Sequence, residues 1–222
     1  MSDKPLIMFH GRSAVYGRPN SVESITGALK HSVDIIELDV RKSSDGVLYC
    51  YHGSWFARLL KYFSFGFIKN NLKIDTLEEV LKIITTKKII FLDIKDKRIT
   101  AADLKKVCDK FDQEYWVAGY DLLYLGQLKS ILKNYKFVYN FAFLNLQKGL
   151  EKAKENGVGI TKVFRWQLTS NLKPILLQLG IEFTIYPPFM STQVYLKNVQ
   201  KYGSIWMAYD DLGYLNKPFI GF

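Results

Sequence analysis

The stretch Ile35-Ile36-Glu37-Leu38-Asp39-Val40 is an apolar run that carries two carboxylates two residues apart. On a strand, alternate side chains share a face, so Glu37 and Asp39 point one way while Ile36, Leu38 and Val40 point the other. Burying two like charges side by side is costly unless a cation or a donor compensates. Paired hard oxygen ligands at the end of a buried strand therefore suggest Mg²⁺ or Ca²⁺. The plainer alternative is an edge strand with one wet, acidic face. The flanking sequence decides between them.

Upstream, Leu6 to Phe9 predicts a first buried strand ending at His10-Gly11-Arg12. Ser21 then caps a helix with an apolar stripe at Val22, Ile25, Ala28 and Leu29. Asp34 to Val40 is the second strand, and after the turn Ser44-Asp45-Gly46 the chain returns as a strand from Val47 to Tyr51, ending at His52. Thr76 opens a helix, Lys88 to Lys95 is a strand, and Thr100 caps the next helix. Alternation continues through strands at 115–119, 137–143, 160–164, 181–186 and 204–209, with helices between them, the last near 192–202. Over 222 residues without a linker or repeat, this indicates an α/β chain folded as one (β/α)8 TIM barrel, a single domain over 1–222. A doubly wound open sheet is the runner-up, but no glycine-rich phosphate fingerprint follows the first strand. In a barrel, His10, Glu37, Asp39, His52, Asp93 and Lys95 fall at the C-terminal strand ends, where barrel enzymes build their sites.

Hydrophobic residues make up 48% of the chain, enough for a sizeable core. No apolar run approaches the roughly 18 residues of a membrane-spanning helix. Met1-Ser2-Asp3-Lys4-Pro5 lacks the basic start and long apolar core of a signal peptide. Cys50 and Cys108 make neither a metal spacing nor a disulfide framework. A reducing, cytoplasmic location is expected. The net charge of +10 calls for an anionic partner: nucleic acid, phospholipid head groups or phosphorylated metabolites. The lysines are scattered and no recognition motif appears, so nucleic acid is the weakest of these.

Two histidines, three carboxylates and a lysine at one rim make a metal-assisted phosphoester site. Carboxylates hold the cation, the cation neutralises phosphate oxygens, and imidazoles supply acid and base near neutral pH. The ordered motifs resemble those of the glycerophosphodiester phosphodiesterase family, related to lysophospholipase D and sphingomyelinase D. They are His10, Asn20-Ser21, Glu37-Leu38-Asp39-Val40, Asp45-Gly46, His52, Arg58, Thr76-Leu77-Glu78-Glu79-Val80-Leu81, Leu92-Asp93-Ile94-Lys95 and, near the end, Phe183-Thr184-Ile185. The resemblance implies Glu37, Asp39 and Asp93 as ligands of one divalent ion, Mg²⁺ or Ca²⁺, and His10 and His52 as the acid–base pair. It further implies Lys95 on phosphate, with Arg12 also in reach. The implied reaction hydrolyses a glycerophosphodiester or lysophospholipid and releases an alcohol head group.

The chain departs from the family pattern at four places. His10-Gly11-Arg12 stands for His-Arg-Gly, Pro19 for a glutamate, Gly53 for the aspartate after the second histidine, and Asp93 for a glutamate. These keep a rival reading open, a catalytically silent barrel that binds phosphorylated ligands or anionic membrane. Residues 54–69 follow His52, are dense in aromatic and aliphatic side chains, carry Arg58, Lys61 and Lys69, and contain no acid. They suit either a peripheral element at an anionic lipid surface or an apolar lid over the catalytic mouth.

Overall fold

The structure, a computed structural model, describes residues 6–53, 55–140, 146–164, 172–186 and 205–209. The chain runs β1 (Leu6–Phe9), α1 (Val22–Ala28), β2 (Ile35–Lys42), β3 (Leu48–Cys50), α2 (Phe65–Leu72), α3 (Leu77–Lys82) and β4 (Ile89–Ile94). It continues with α4 (Ala101–Cys108), β5 (Glu114–Gly119), α5 (Leu122–Ile131), β6 (Lys136–Asn140) and α6 (Leu146–Glu155). The last elements are β7 (Ile160–Phe164), α7 (Leu172–Leu179), β8 (Glu182–Tyr186) and β9 (Trp206–Tyr209). The strands lie in the order β8-β7-β6-β5-β4-β2-β1-β9, and each neighbouring pair is parallel. The two ends of this path meet: the Ile205 N–H donates to the Phe183 carbonyl at 3.1 Å. The architecture is the α/β barrel expected from the alternation of strands and helices.

The barrel has two apolar layers. Met8, Ile35, Phe91, Trp116, Val138 and Ile160 fill its interior. Ile36, Leu38, Val40, Ile90 and Leu92 face outward and pack with helix residues such as Ile25, Val80, Leu104 and Leu125. Burying each such side chain contributes about 1.5–3 kcal/mol, so a one-residue slip of β2 would forfeit several of them at once. That penalty fixes which face carries Glu37 and Asp39. In register, Glu37 pairs with Phe91 and Asp39 with Asp93, so the outer apolar layer and the inner carboxylates are set by the same alternation.

Helix starts follow their caps. The Ser21 side chain accepts from the Ser24 N–H, while Thr76 with Glu79 and Thr100 with Asp103 form full capping boxes. Two features differ from the sequence expectation. β3 is the antiparallel arm of the hairpin that the turn Ser44-Asp45-Gly46 predicts, pairing Val40 with Cys50 and Lys42 with Leu48, so His52 follows a hairpin arm and not the end of a barrel stave. Residues 55–72 form two short 3-10 turns and α2, because Ser64 supplies a helix cap that its aromatic surroundings obscured. The end of the strand expected at 137–143 and the helix near 192–202 lie outside the described residues.

Candidate active site

At the C-terminal mouth of the barrel, Glu37, Asp39 and Asp93 are 2%, 1% and 4% exposed, and one oxygen of each lies within 4.8 Å of the others. Each carboxylate is held by a named donor. The Gly11 N–H donates to Glu37 Oε2 at 2.7 Å. Asn20 Nδ2 donates to Asp39 Oδ2 at 2.8 Å, and the Asp39 N–H donates back to Asn20 Oδ1 at 2.8 Å. Asn140 Nδ2 donates to Asp93 Oδ1 at 3.1 Å. Lys95 Nζ bridges the pair, 2.7 Å from Asp93 Oδ2 and 3.0 Å from Asp39 Oδ1. Asp39 Oδ1 nevertheless accepts no well-aligned hydrogen bond, so its contact with Lys95 is an ion pair rather than a directed bond.

The electrostatics follow from this packing. Burial pushes the Glu37 carboxyl up to about 7, and the charges of Asp39 and Asp93 add to the rise. Asp39 goes the other way. Burial would raise it, but the Lys95 ammonium, His52 and the Asn20 hydrogen bond hold it below the usual range. Burial would likewise lower Lys95, and the carboxylates of Asp93, Asp39 and Glu37 reverse that and keep it firmly charged. Three buried, hard oxygen donors, one of them destabilised as an anion by the other two, fit a divalent cation. Glu37, Asp39 and Asp93 are the residues that could hold it.

The β2–β3 hairpin delivers His52. β2 runs past the barrel rim, β3 folds back beside it, and the Tyr51 N–H donates to the Asp39 carbonyl at 2.8 Å. Arg41 fixes the following turn, with Nε to the Tyr51 carbonyl and Nη2 to the His52 carbonyl, each at 2.9 Å. His52 Nδ1 sits 3.0 Å from the Gly53 carbonyl. A carbonyl only accepts, so this is a hydrogen bond in the Nδ1–H tautomer, which leaves Nε2 as the proton acceptor. Burial first, then Arg12 and Lys95, lower the His52 pKa, against an opposing pull from Asp39.

Two departures from the family pattern are built into the backbone. Gly53 has φ +69°, and a Cβ there would stand 2.3 Å from the Ala57 Cβ and 2.5 Å from the Tyr51 ring. A Cβ at Gly11 would lie 2.4 Å from the Glu37 carbonyl oxygen, so no arginine fits next to His10. Arg12 instead lines the cleft.

The cleft encloses about 570 Å³ including its open mouth and collects every site residue singled out from the sequence: His10, Arg12, Glu37, Asp39, His52, Asp93 and Lys95. It adds Tyr120, Asn140 and Lys162, which sequence reasoning missed. The signal for the last two was a polar residue at an inward position of an otherwise apolar strand, Phe137-Val138-Tyr139-Asn140 and Ile160-Thr161-Lys162-Val163. The segment expected to hang over the mouth lies beside it. The Phe63 carbonyl accepts from the Ser44 N–H and the Phe65 N–H donates to Asp45 Oδ1, so it packs on the hairpin turn, and none of its described residues lines the cleft.

Residues 11–83 match the model of the glycerophosphoryl diester phosphodiesterase family. Glycerophosphodiester phosphodiesterase GDPD4 of Arabidopsis thaliana is 37% identical over 57 residues, which make up 26% of this chain and 17% of that protein's length. The resemblance read from the sequence is shown over this stretch. A glycerophosphodiester phosphodiesterase structure from Thermotoga maritima superposes with a TM-score of 0.78 at 18% identity, covering 96% of this chain and 97% of that one. An Oleispira antarctica phosphodiesterase in complex with the product sn-glycerol-3-phosphate superposes with a TM-score of 0.78 at 15% identity, covering 93% of each chain. At these identities the structures establish the shared fold.

Proposed function

We propose that this chain, akin to the glycerophosphoryl diester phosphodiesterase family through residues 11–83, is a single-domain phosphodiesterase that hydrolyses glycerophosphodiesters or lysophospholipids and releases the alcohol head group. The observation that carries this reading is the convergence of two histidines, three mutually close carboxylates and basic side chains in one cleft at the barrel mouth. Glu37, Asp39 and Asp93 would hold one Mg²⁺ or Ca²⁺, which when bound neutralises charge on the phosphate oxygens. Arg12 and Lys95 add positive charge for the same oxygens, although Lys95 reaches them only from its seat between Asp39 and Asp93.

His10 and His52 exchange the protons. The lowered pKa of His52 and its Nδ1–H tautomer favour it as the neutral base that accepts a proton at Nε2 from the attacking water or substrate hydroxyl. His10 then protonates the leaving alcohol. Replacing either histidine with alanine, fold retained, is expected to lower turnover about 10²–10⁴-fold. A near-normal rate in either variant would defeat the two-histidine mechanism. Absence of alcohol release in a folded wild type with either ion would leave the silent, phosphate-binding barrel.

A lysolipid substrate is supported by the surface beside the cleft. Phe56, Leu59, Tyr62, Phe63 and Phe67 are between 40% and 68% exposed, and Phe63 stacks on Phe67 at 4.7 Å. Lys61 and Lys73 belong to the same stretch, which holds no acid between residues 54 and 74, while Lys69 is paired with Glu79 at 2.6 Å. Such a surface suits peripheral contact with anionic lipid. Among the described residues no helix is long and apolar enough to cross a membrane. Replacing Phe63 and Phe67 with serine should depress turnover on lysophospholipid micelles and spare soluble glycerophosphocholine. Equal losses on both would count against the contact.

A further inference from the structure

We infer that Asn140 and Lys162 form a substrate subsite in the cleft wall, with Lys162 donating to a non-bridging phosphate oxygen and Asn140 Oδ1 accepting a hydroxyl of the esterified polyol. This rests on the phosphodiesterase reading above. The two residues are direct partners in the ladder between β6 and β7, and both line the cleft.

The two lysines of the cleft differ in what already holds them. Lys95 is committed to two carboxylates, at 2.7 Å and 3.0 Å. Lys162 makes no ion pair or hydrogen bond among the described residues. Its Nζ rests 4.7 Å above the centre of the Phe91 ring. A ring face steadies an ammonium but satisfies none of its hydrogen-bond donors, so those donors remain for a ligand. An ammonium facing a cleft that also holds Arg12 is suited to a phosphate.

Asn140 is 3% exposed, and its Nδ2 donates to Asp93 Oδ1, which fixes the direction of the amide. Its Oδ1 is buried without a hydrogen-bond partner. A buried acceptor without a donor is costly. A phosphodiester oxygen carries no proton and cannot supply one, whereas an alcohol can. An orphan acceptor next to an uncommitted ammonium therefore selects a phosphate ester that also bears a hydroxyl. An analogue lacking the hydroxyl leaves the acceptor unpaired and should bind less tightly.

The test is calorimetric binding of inorganic phosphate, sn-glycerol 3-phosphate and n-propyl phosphate to the full chain, with circular dichroism confirming the fold of each variant. Lys162→Met should weaken all three ligands about 10- to 100-fold, the worth of a charge-assisted hydrogen bond. Lys162→Arg should recover most of that loss. The wild type should prefer sn-glycerol 3-phosphate over n-propyl phosphate about tenfold. Asn140→Ala should abolish this preference, the readout that separates the hydroxyl contact from the hydrogen bond Asn140 gives Asp93. Phosphate binding undiminished in Lys162→Met, a preference that survives in Asn140→Ala, equal weakening of every ligand by Asn140→Ala, or no binding to the wild type would each overturn the assignment. Because binding is read without turnover, expected affinities in a protein that releases no alcohol would refute the hydrolase reading and leave the subsite standing.

Discussion

Asn20→Ala removes a side chain that never needs to touch substrate, yet it should damage both stability and ion binding. Asn20 is 1% exposed and makes two 2.8 Å bonds with Asp39, one from its amide to the carboxylate and one from the Asp39 N–H to its carbonyl. The bond to the charged oxygen is worth about 1.5–3 kcal/mol and the neutral one about 1 kcal/mol, and alanine leaves both Asp39 groups buried. Asn20 also sits at φ +58°, a left-handed conformation that asparagine tolerates and that costs alanine about 1 kcal/mol more. The sum predicts a loss of about 3–5 kcal/mol, read as a lowered midpoint in urea at unchanged slope. Asp39 would be free to rotate away from Glu37 and Asp93, so affinity for Mg²⁺ or Ca²⁺ should fall about 10- to 100-fold in calorimetric titration. A stability change under about 1 kcal/mol together with unaltered ion affinity would refute the claim that Asn20 positions the ligand.

Other consequences are as direct. Gly53→Asp restores the family residue but should destabilise the protein by about 2 kcal/mol or more and lower head-group release, because its Cβ would stand 2.3 Å from the Ala57 Cβ; a gain in activity would show the turn is adaptable. Burial pushes the Glu37 carboxyl up to about 7 in the ion-free site, so protons compete with the cation. Apparent ion affinity should rise about tenfold per pH unit up to that value and then level off; a flat profile between pH 5 and 7 would contradict this. Lys95→Met leaves Asp39 and Asp93 without their shared ammonium and should cost about 3–5 kcal/mol without divalent ion, less with it, by thermal unfolding.

Much of this was legible in the chain because the same alternation that makes β2 a strand also sorts its side chains. Ile36, Leu38 and Val40 have to face the helices, and that alone turns Glu37 and Asp39 inward. Ser21, Thr76 and Thr100 announced their helices by chemistry that acts within three residues. What escaped depended on partners distant in sequence. Asn20 binds Asp39 from a loop, and Lys162 enters the cleft only because β7 lies next to β6. The turn Ser44-Asp45-Gly46 predicts the return of β3, but not that His52 leaves a hairpin arm and not a stave, because pairing direction is absent from the local pattern. The glycines at 11 and 53 looked like losses in sequence, and in three dimensions each is a position where a side chain has no room.

The most direct test is the release of alcohol from glycerophosphocholine by the wild type and Glu37→Gln, with Mg²⁺, Ca²⁺ or chelator present. The carboxylate cluster and its histidines predict release that needs a divalent ion and is abolished in Glu37→Gln while the fold persists. Release that is indifferent to chelator, or undiminished by Glu37→Gln, would contradict a site organised around Glu37, Asp39 and Asp93.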